Sequence, residues 1–233
     1  MPDKPMISLK YSWTFILLAW SLTGRAQVIS QQQAGDALKE ALSAGTQQAT
    51  ARLAALNGYY GNPLIRILMP DEAKPVVNAL QRVGMGYMVD SAVLAMNRAA
   101  EHAATKAAPI FLNAIKHMQL QDALQILKGS DTAATAYLRK TTYTDLKRAF
   151  QPVIDSSLQQ TGATSWWEKM FTAYNKIPFT RKINPNLSEY VTDKALQGLF
   201  LTIGQEEKNI RAHPEQQASA LIRNIFGAVS SGR

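Results

Sequence analysis

The stretch "LQGLFLTIGQEEKNIR" runs from Leu196 to Arg211. Wound as a helix, it keeps Phe200, Ile203 and Ile210 within about 40° of Leu196, an apolar stripe that predicts a core-facing helix. Glu207 falls roughly 20° from the centre of that stripe, while Glu206 points toward its edge. The same spacing governs most of the chain. "VISQQQAGDALKEALSAGTQQATARLAAL", from residue 28, carries Leu38, Leu42 and Ala49 on one face and stops at "NGYYGNP", where Gly58, Gly61 and Pro63 forbid continuation.

"LIRILMP" breaks the rhythm. It is apolar, closed by prolines at both ends and too short for a stable helix, so an extended segment tucked against the helices is expected, with Arg66 its only charge. Helices resume in "DEAKPVVNALQRV", with Asp71 as N-cap and Pro75 in the first turn, and break at Gly84 and Gly86. "YMVDSAVLAMNRAAEHAATKA" then sets Val89, Val93, Met96, Ala100 and Ala103 on a narrow stripe that permits close packing.

After Pro109, "PIFLNAIKHM" and "LQDALQILKG" predict two short helices. A long one follows, capped by Ser130 or Asp131, bent at Pro152 and ended at Gly162. "SWWEKMFTAYNKI" is a short aromatic helix. The loop "PFTRKINPN" leads to Ser188 as cap of the closing helix, which runs to about Pro214, and "EQQASALIRNIFGAV" ends the chain. No alternating strand run and no internal repeat is present. The expectation is an all-α fold, a single compact multi-helix domain of about eight to ten helices.

The N-terminus changes that picture. Lys4 and Lys10 precede the apolar run "WTFILLAW", and Gly24 and Ala26 sit at the −3 and −1 positions of a cut before Gln27. This is the pattern of a signal peptide over residues 1–26, leaving 27–233 as the single all-helical domain, periplasmic or secreted. The run is far short of the ~20 apolar residues of a spanning helix. Cleavage removes Lys4, Lys10, Arg25 and Asp3, so the formal charge falls from +8 to +6. The chain has no cysteine, which excludes disulfides, thiolate metal sites, cysteine nucleophiles and a lipid anchor on cysteine.

Enzyme signatures are missing by spacing: no H-E-x-x-H, no Glu-x-x-His, no Gly-x-Ser-x-Gly elbow and no phosphate-binding loop. "GMGYM" lacks both a preceding strand and a third glycine, so it reads as a helix–helix turn. His102, His117 and His213 lie far apart and are expected in solvent. No catalytic residue, cofactor or metal site is assigned. Arg139, Lys140, Lys147 and Arg148 on one helix, with Arg181 and Lys182 in a loop, make a basic surface. No nucleic-acid module accompanies it, and contact with an anionic membrane surface or acidic glycan fits an exported protein better.

A few polar residues need an explanation. A buried carboxylate at Glu207 costs several kcal/mol unless it is paired, and Arg211 lies one turn on. In "MNRAAE", Asn97 and Glu101 share a face and Arg98 projects away from the Met96 stripe; Arg66 and Arg139 are further charges among apolar neighbours. Two readings stay open for Arg66, Asn97, Arg98, Glu101, Arg139, Glu207 and Arg211. They form a buried network that fixes helix orientation, or they line a pocket in which arginine reads a carboxylate or phosphate on a mostly apolar ligand.

The blocks "NPLIRI", "MNRAAE", "PIFLNAI", "QDALQILKGSDTAATAYLR" and "YVTDKALQGLFLTIGQEEKNIR" together resemble the bacterial domain-of-unknown-function family 4197, in the same order from about Ala37 to Phe226. The resemblance implies an exported, all-helical protein of this length and brings no activity or cofactor. It implies that Arg66, Asn97, Arg98, Glu101, Asp131, Arg139, Asp193, Glu206, Glu207 and Arg211 belong to the family's motif blocks. Where the family often has proline after "NPLIRI", this chain has Leu68. The expected function is a binding module of the cell envelope for an apolar or anionic small molecule or an envelope protein. The alternatives are a structural or assembly module and, ranked last, a hydrolase.

Overall fold

The computed structural model describes residues 30–231 except 177, 180, 181, 185 and 218. The expected signal peptide and Arg181 lie outside the described residues. Helix α1 (Gln31–Ala54) starts where Ser30 and Gln33 form a reciprocal capping box, three residues later than the apolar pattern begins. Its small residues Ala37, Ala41, Gly45 and Ala49 are buried, which lets neighbouring helices approach closely. The chain then turns through Asn57, whose φ of 66° is left-handed. As expected it has no regular helix or strand over 66–70.

A short 3-10 turn (Asp71–Ala73) precedes α2 (Lys74–Arg82). Pro75 occupies the first turn, but Asp71 is not the cap: it opens the 3-10 turn and pairs with Lys74 at 3.0 Å, leaving Ala73 at the N-cap position. Gly84, with φ 79°, makes the turn into α3 (Gly86–Ala104). There follow α4 (Ala107–Lys116), α5 (Leu120–Lys128), α6 (Ala133–Gln159), α7 (Ala163–Tyr174), α8 (Leu187–Ala212), a 3-10 turn (Pro214–Gln216) and α9 (Ala220–Ser231). The fold is all-α, with no strand among the described residues, and no helix among them is long and apolar enough to cross a membrane.

Helix α6 lies at the centre, packed extensively on α3 and α8, while α1 runs across α4, α5 and α8. Phe111, Leu138, Leu146, Phe150 and Phe200 fill the space between. The Phe111 ring meets Phe200 edge-on at 6.0 Å and Tyr143 stacks on Phe200 at 6.5 Å. Pro152 sits inside α6 without ending it.

Two caps differ from expectation. The cap of α8 is Asn186, whose backbone is still extended and whose side chain accepts from the Glu189 N–H at 3.0 Å. Ser188 is already helical, and its hydroxyl donates to Asp155 at 2.7 Å. At the start of α6 the N-cap position falls on Thr132, which makes no capping bond.

Candidate functional site

The uncapped start of α6 explains the misplaced carboxylate. Glu207 reaches across from α8, where it accepts from the Ala134 N–H at 3.0 Å, the Thr135 N–H at 2.8 Å and the Thr135 hydroxyl at 2.8 Å. It caps α6 from another helix and faces the positive end of that helix's dipole. Arg211 binds the same carboxylate through Nε at 3.1 Å and Nη2 at 2.9 Å, and its Nη2 also donates to the Ile126 carbonyl at 2.9 Å. The ion pair thus joins the carbonyl end of α5 to the amide end of α6. Both side chains are buried, at 6% and 8% exposure.

A second cluster sits on α3. Glu101, 2% exposed, accepts from the N–H groups of Tyr59 at 3.2 Å and Tyr60 at 3.1 Å, and pairs with Arg98 at 2.5 Å. Arg98 also donates to the Asn57 side chain at 2.9 Å, holding the left-handed turn. One turn back, Asn97 accepts from the Ile67 N–H at 2.9 Å and donates to the Ile67 carbonyl at 2.8 Å and to its own helix at Val93. The "MNRAAE" motif is therefore a clamp that fixes the irregular chain from Asn57 to Ile67 against α3.

The expected residues do not make one network. Glu101, Arg98 and Asn97 hold the segment, and Glu207 and Arg211 hold two helix ends. Arg139 is exposed, with its guanidinium 4.7 Å over the Phe200 ring. The reason is helical phase: Leu138 and Thr142 take the inward positions beside it. Glu206 pairs with Arg52 of α1. The basic row on α6 is partly neutralised, Lys147 by Asp193 at 3.1 Å and Arg148 by Asp145 at 3.2 Å. His102, His117 and His213 are all exposed.

Arg66 is the exception. Its guanidinium lies 4.0 Å over the Tyr60 ring, and its Nε is buried without an acceptor. No carboxylate pairs with it among the described residues. It lines a groove of about 460 Å³ between segment 64–71 and α8, within the ~300–1,000 Å³ usual for ligand sites. Leu64, Leu68 and Leu201, at 67%, 55% and 45% exposure, rim the groove. Lys194 adds a second cation 5.8 Å from the Tyr190 ring. Among the described residues the one acid lining it, Asp71, pairs with Lys74 on the surface.

Gly198 forms the floor. A Cβ there would meet the Tyr59 ring at 2.8 Å and the Ile65 Cβ at 3.1 Å, so only glycine lets the segment lie on α8. Tyr59, with no exposure, donates to the Ala195 carbonyl at 2.8 Å, and burial raises its pKa. Tyr190 straps the far end, its hydroxyl donating to the Leu68 carbonyl at 2.8 Å. Burial, followed by the charges of Glu72 and Asp71, pushes its phenol up to about 12. Tyr190, Lys194 and Gly198 were not among the expected site residues; the glycine inside an otherwise helical apolar pattern was their one visible signal.

The family model described as "Protein of unknown function (DUF4197)" matches residues 28–227. The chain belongs to that family. Neither the curated proteins nor the solved structures yield a match. Both clamps and the groove fall within the matched span, with the motif blocks that carry them. Among the described residues, no three of His, Cys, Asp and Glu group in a way that would hold a metal ion.

Proposed function

We propose that this chain is a non-catalytic binding module of the bacterial cell envelope. It takes an apolar ligand or partner segment bearing an anionic group into the groove between segment 64–71 and α8. The observation that carries this reading is Arg66, a half-buried guanidinium on an apolar-rimmed groove with no carboxylate paired to it among the described residues. The buried glutamates of this protein each bind an arginine and backbone amides. A charge left without such a partner points outward, to something that comes and goes. Export rests on the basic–apolar–small pattern of residues 1–26.

The test is titration of the full chain with dodecanoate, a simple anionic amphiphile, followed by calorimetry. Arg66→Gln should weaken binding about tenfold or more, the value of a charge-assisted hydrogen bond of ~1.4 kcal/mol or above. The melting temperature should barely move, because Arg66 holds no ion pair. Absence of binding by dodecanoate, by an apolar dye and by an acidic–apolar peptide together would overturn the reading. A second reading, an assembly module whose charges are all architectural, is favoured by the two fully bonded clamps. It expects Arg66→Gln to destabilise the fold and leave any binding unchanged.

A further inference from the structure

The groove has a backbone wall as well as side chains. Ile67 spends both its N–H and its C=O on the Asn97 carboxamide. Where the chain is extended, the peptide groups of successive residues point to opposite edges, so those of Arg66 and Leu68 lie on the edge away from Asn97, where the Arg66 N–H already donates to the Asn62 carbonyl at 2.9 Å. On that edge the Leu68 carbonyl already accepts the hydroxyl of Tyr190, which places the edge toward α8. The Arg66 carbonyl and the Leu68 N–H have no partner among the described residues.

This spacing has a specific complement. In parallel strand pairing, one residue of the incoming chain donates its N–H to the carbonyl before a given residue and accepts from the N–H after it. The open Arg66 carbonyl and Leu68 N–H flank Ile67 in that way. Side chains alternate to match: Ile65 and Ile67 are buried at 7% and 2%, whereas Leu64 and Leu68 are exposed and Arg66 is half-buried.

Resting on the groove as the binding site, we propose that its occupant is an extended peptide segment of a partner protein. It pairs as a parallel strand with the Arg66 carbonyl and the Leu68 N–H, with an acidic side chain on the Arg66 guanidinium and apolar residues two positions to either side of it on Leu64, Leu68 and Leu201. The strand supplies main-chain hydrogen bonds and the alternating pockets supply selectivity. Arg66 and Lys194, two cations against the lining acid Asp71, favour an acidic segment. A fatty chain would leave the two open peptide groups unmatched.

The experiment uses the full chain and three probes: a capped Val-Thr-Glu-Thr-Val peptide, whose acid and two valines share one face of a strand, the same peptide N-methylated at its two threonine amides, and dodecanoate. The capped peptide should bind. N-methylation and Leu68→Pro, each of which removes a main-chain donor, should weaken it about three- to tenfold, and Arg66→Gln about tenfold or more. If the N-methylated peptide binds as well as its parent, strand pairing is wrong. Dodecanoate bound in an Arg66-dependent manner with no binding of either peptide would retain the groove and overturn the peptide; no binding of any probe would overturn both. Should Leu68→Pro fail to fold, the N-methylated peptide decides alone.

Discussion

Replacing Glu207 by glutamine keeps the shape of the side chain and removes its charge. The native carboxylate accepts five hydrogen bonds, from Ala134 N, Thr135 N, Thr135 Oγ1 and Arg211 Nε and Nη2. Every one of these partners donates. A carboxamide has one accepting atom and one donating group, so one side of it must face another donor. The cheaper orientation turns the oxygen to Ala134 and Arg211 and the amide to Thr135, whose hydroxyl can reverse but whose backbone N–H cannot. One buried N–H is then orphaned, at about 1–3 kcal/mol. Arg211 is left as a buried cation beside a neutral group, where breaking such a pair costs about 3–5 kcal/mol in full. The Ile126 and Leu127 carbonyls still accept from the guanidinium and offset part of this.

A net loss of about 3–4 kcal/mol follows, a large fraction of the ~5–15 kcal/mol typical of a domain. At about 2–4 °C per kcal/mol for a chain of this size, the melting temperature should drop by roughly 6–16 °C. Urea unfolding measures the free-energy loss and a thermal scan the melting temperature, both followed by far-UV circular dichroism. The double variant Glu207→Gln/Arg211→Met separates capping from pairing, because it removes the stranded cation. Its cost should fall short of the sum of the single costs by about 1–3 kcal/mol. A loss below about 1 kcal/mol for Glu207→Gln would refute the cross-helix cap, and strict additivity in the cycle would refute its coupling to Arg211.

The remaining predictions concern the groove walls. Asn97→Asp sets a carboxylate against the carbonyls of Ile67 and Val93 and should free the segment, read as faster hydrogen exchange at the Ile67 amide and a loss of about 2–4 kcal/mol. Gly198→Ala should cost about 1–3 kcal/mol by overpacking against Tyr59 and Ile65, and should weaken any ligand of the groove, as titration would record. Tyr190 has a folded pKa raised to about 12, so its neutral phenol contributes stability that is fully present below pH ~10 and is lost as pH rises toward 12. Denaturation midpoints across that range should fall, and Tyr190→Phe should flatten the slope; an unchanged slope would show that the strap to Leu68 carries no such linkage.

Much of the fold was legible because it rests on periodicity. The stripes around Leu38, Met96 and Leu196 are all buried, and the breaks at Gly58, Gly84 and Pro109 fall at or near helix ends. The burial of Glu207 and its pairing with Arg211 were legible too, being one turn apart. Its main task was not. The amides it caps belong to Ala134 and Thr135, more than seventy residues away, and a backbone N–H leaves no mark in a sequence. Asn186 and Ser188 are both good caps two residues apart, and only the extended backbone of Asn186 decides between them. Arg139 misled because neighbours in sequence are not neighbours on a helix: its apolar flanks point inward while it points out.

The two clamps also bear on why the groove is a better site than the wider hollow between α4 and α6. There, Arg148 is tied to Asp145, and the His117 ring nitrogen meets the Asn113 carbonyl at 2.8 Å, so the polar groups are already spent on one another. In the groove the supporting contacts lie behind the wall. Asn97, Glu101 and Tyr59 hold the segment from the inner side, and Gly198 lets it seat on α8. The Arg66 guanidinium, the Arg66 carbonyl and the Leu68 N–H are left open, on a backbone whose position is already fixed. A ligand there loses little free energy to ordering its receptor, which is the condition for a shallow surface groove to bind at all.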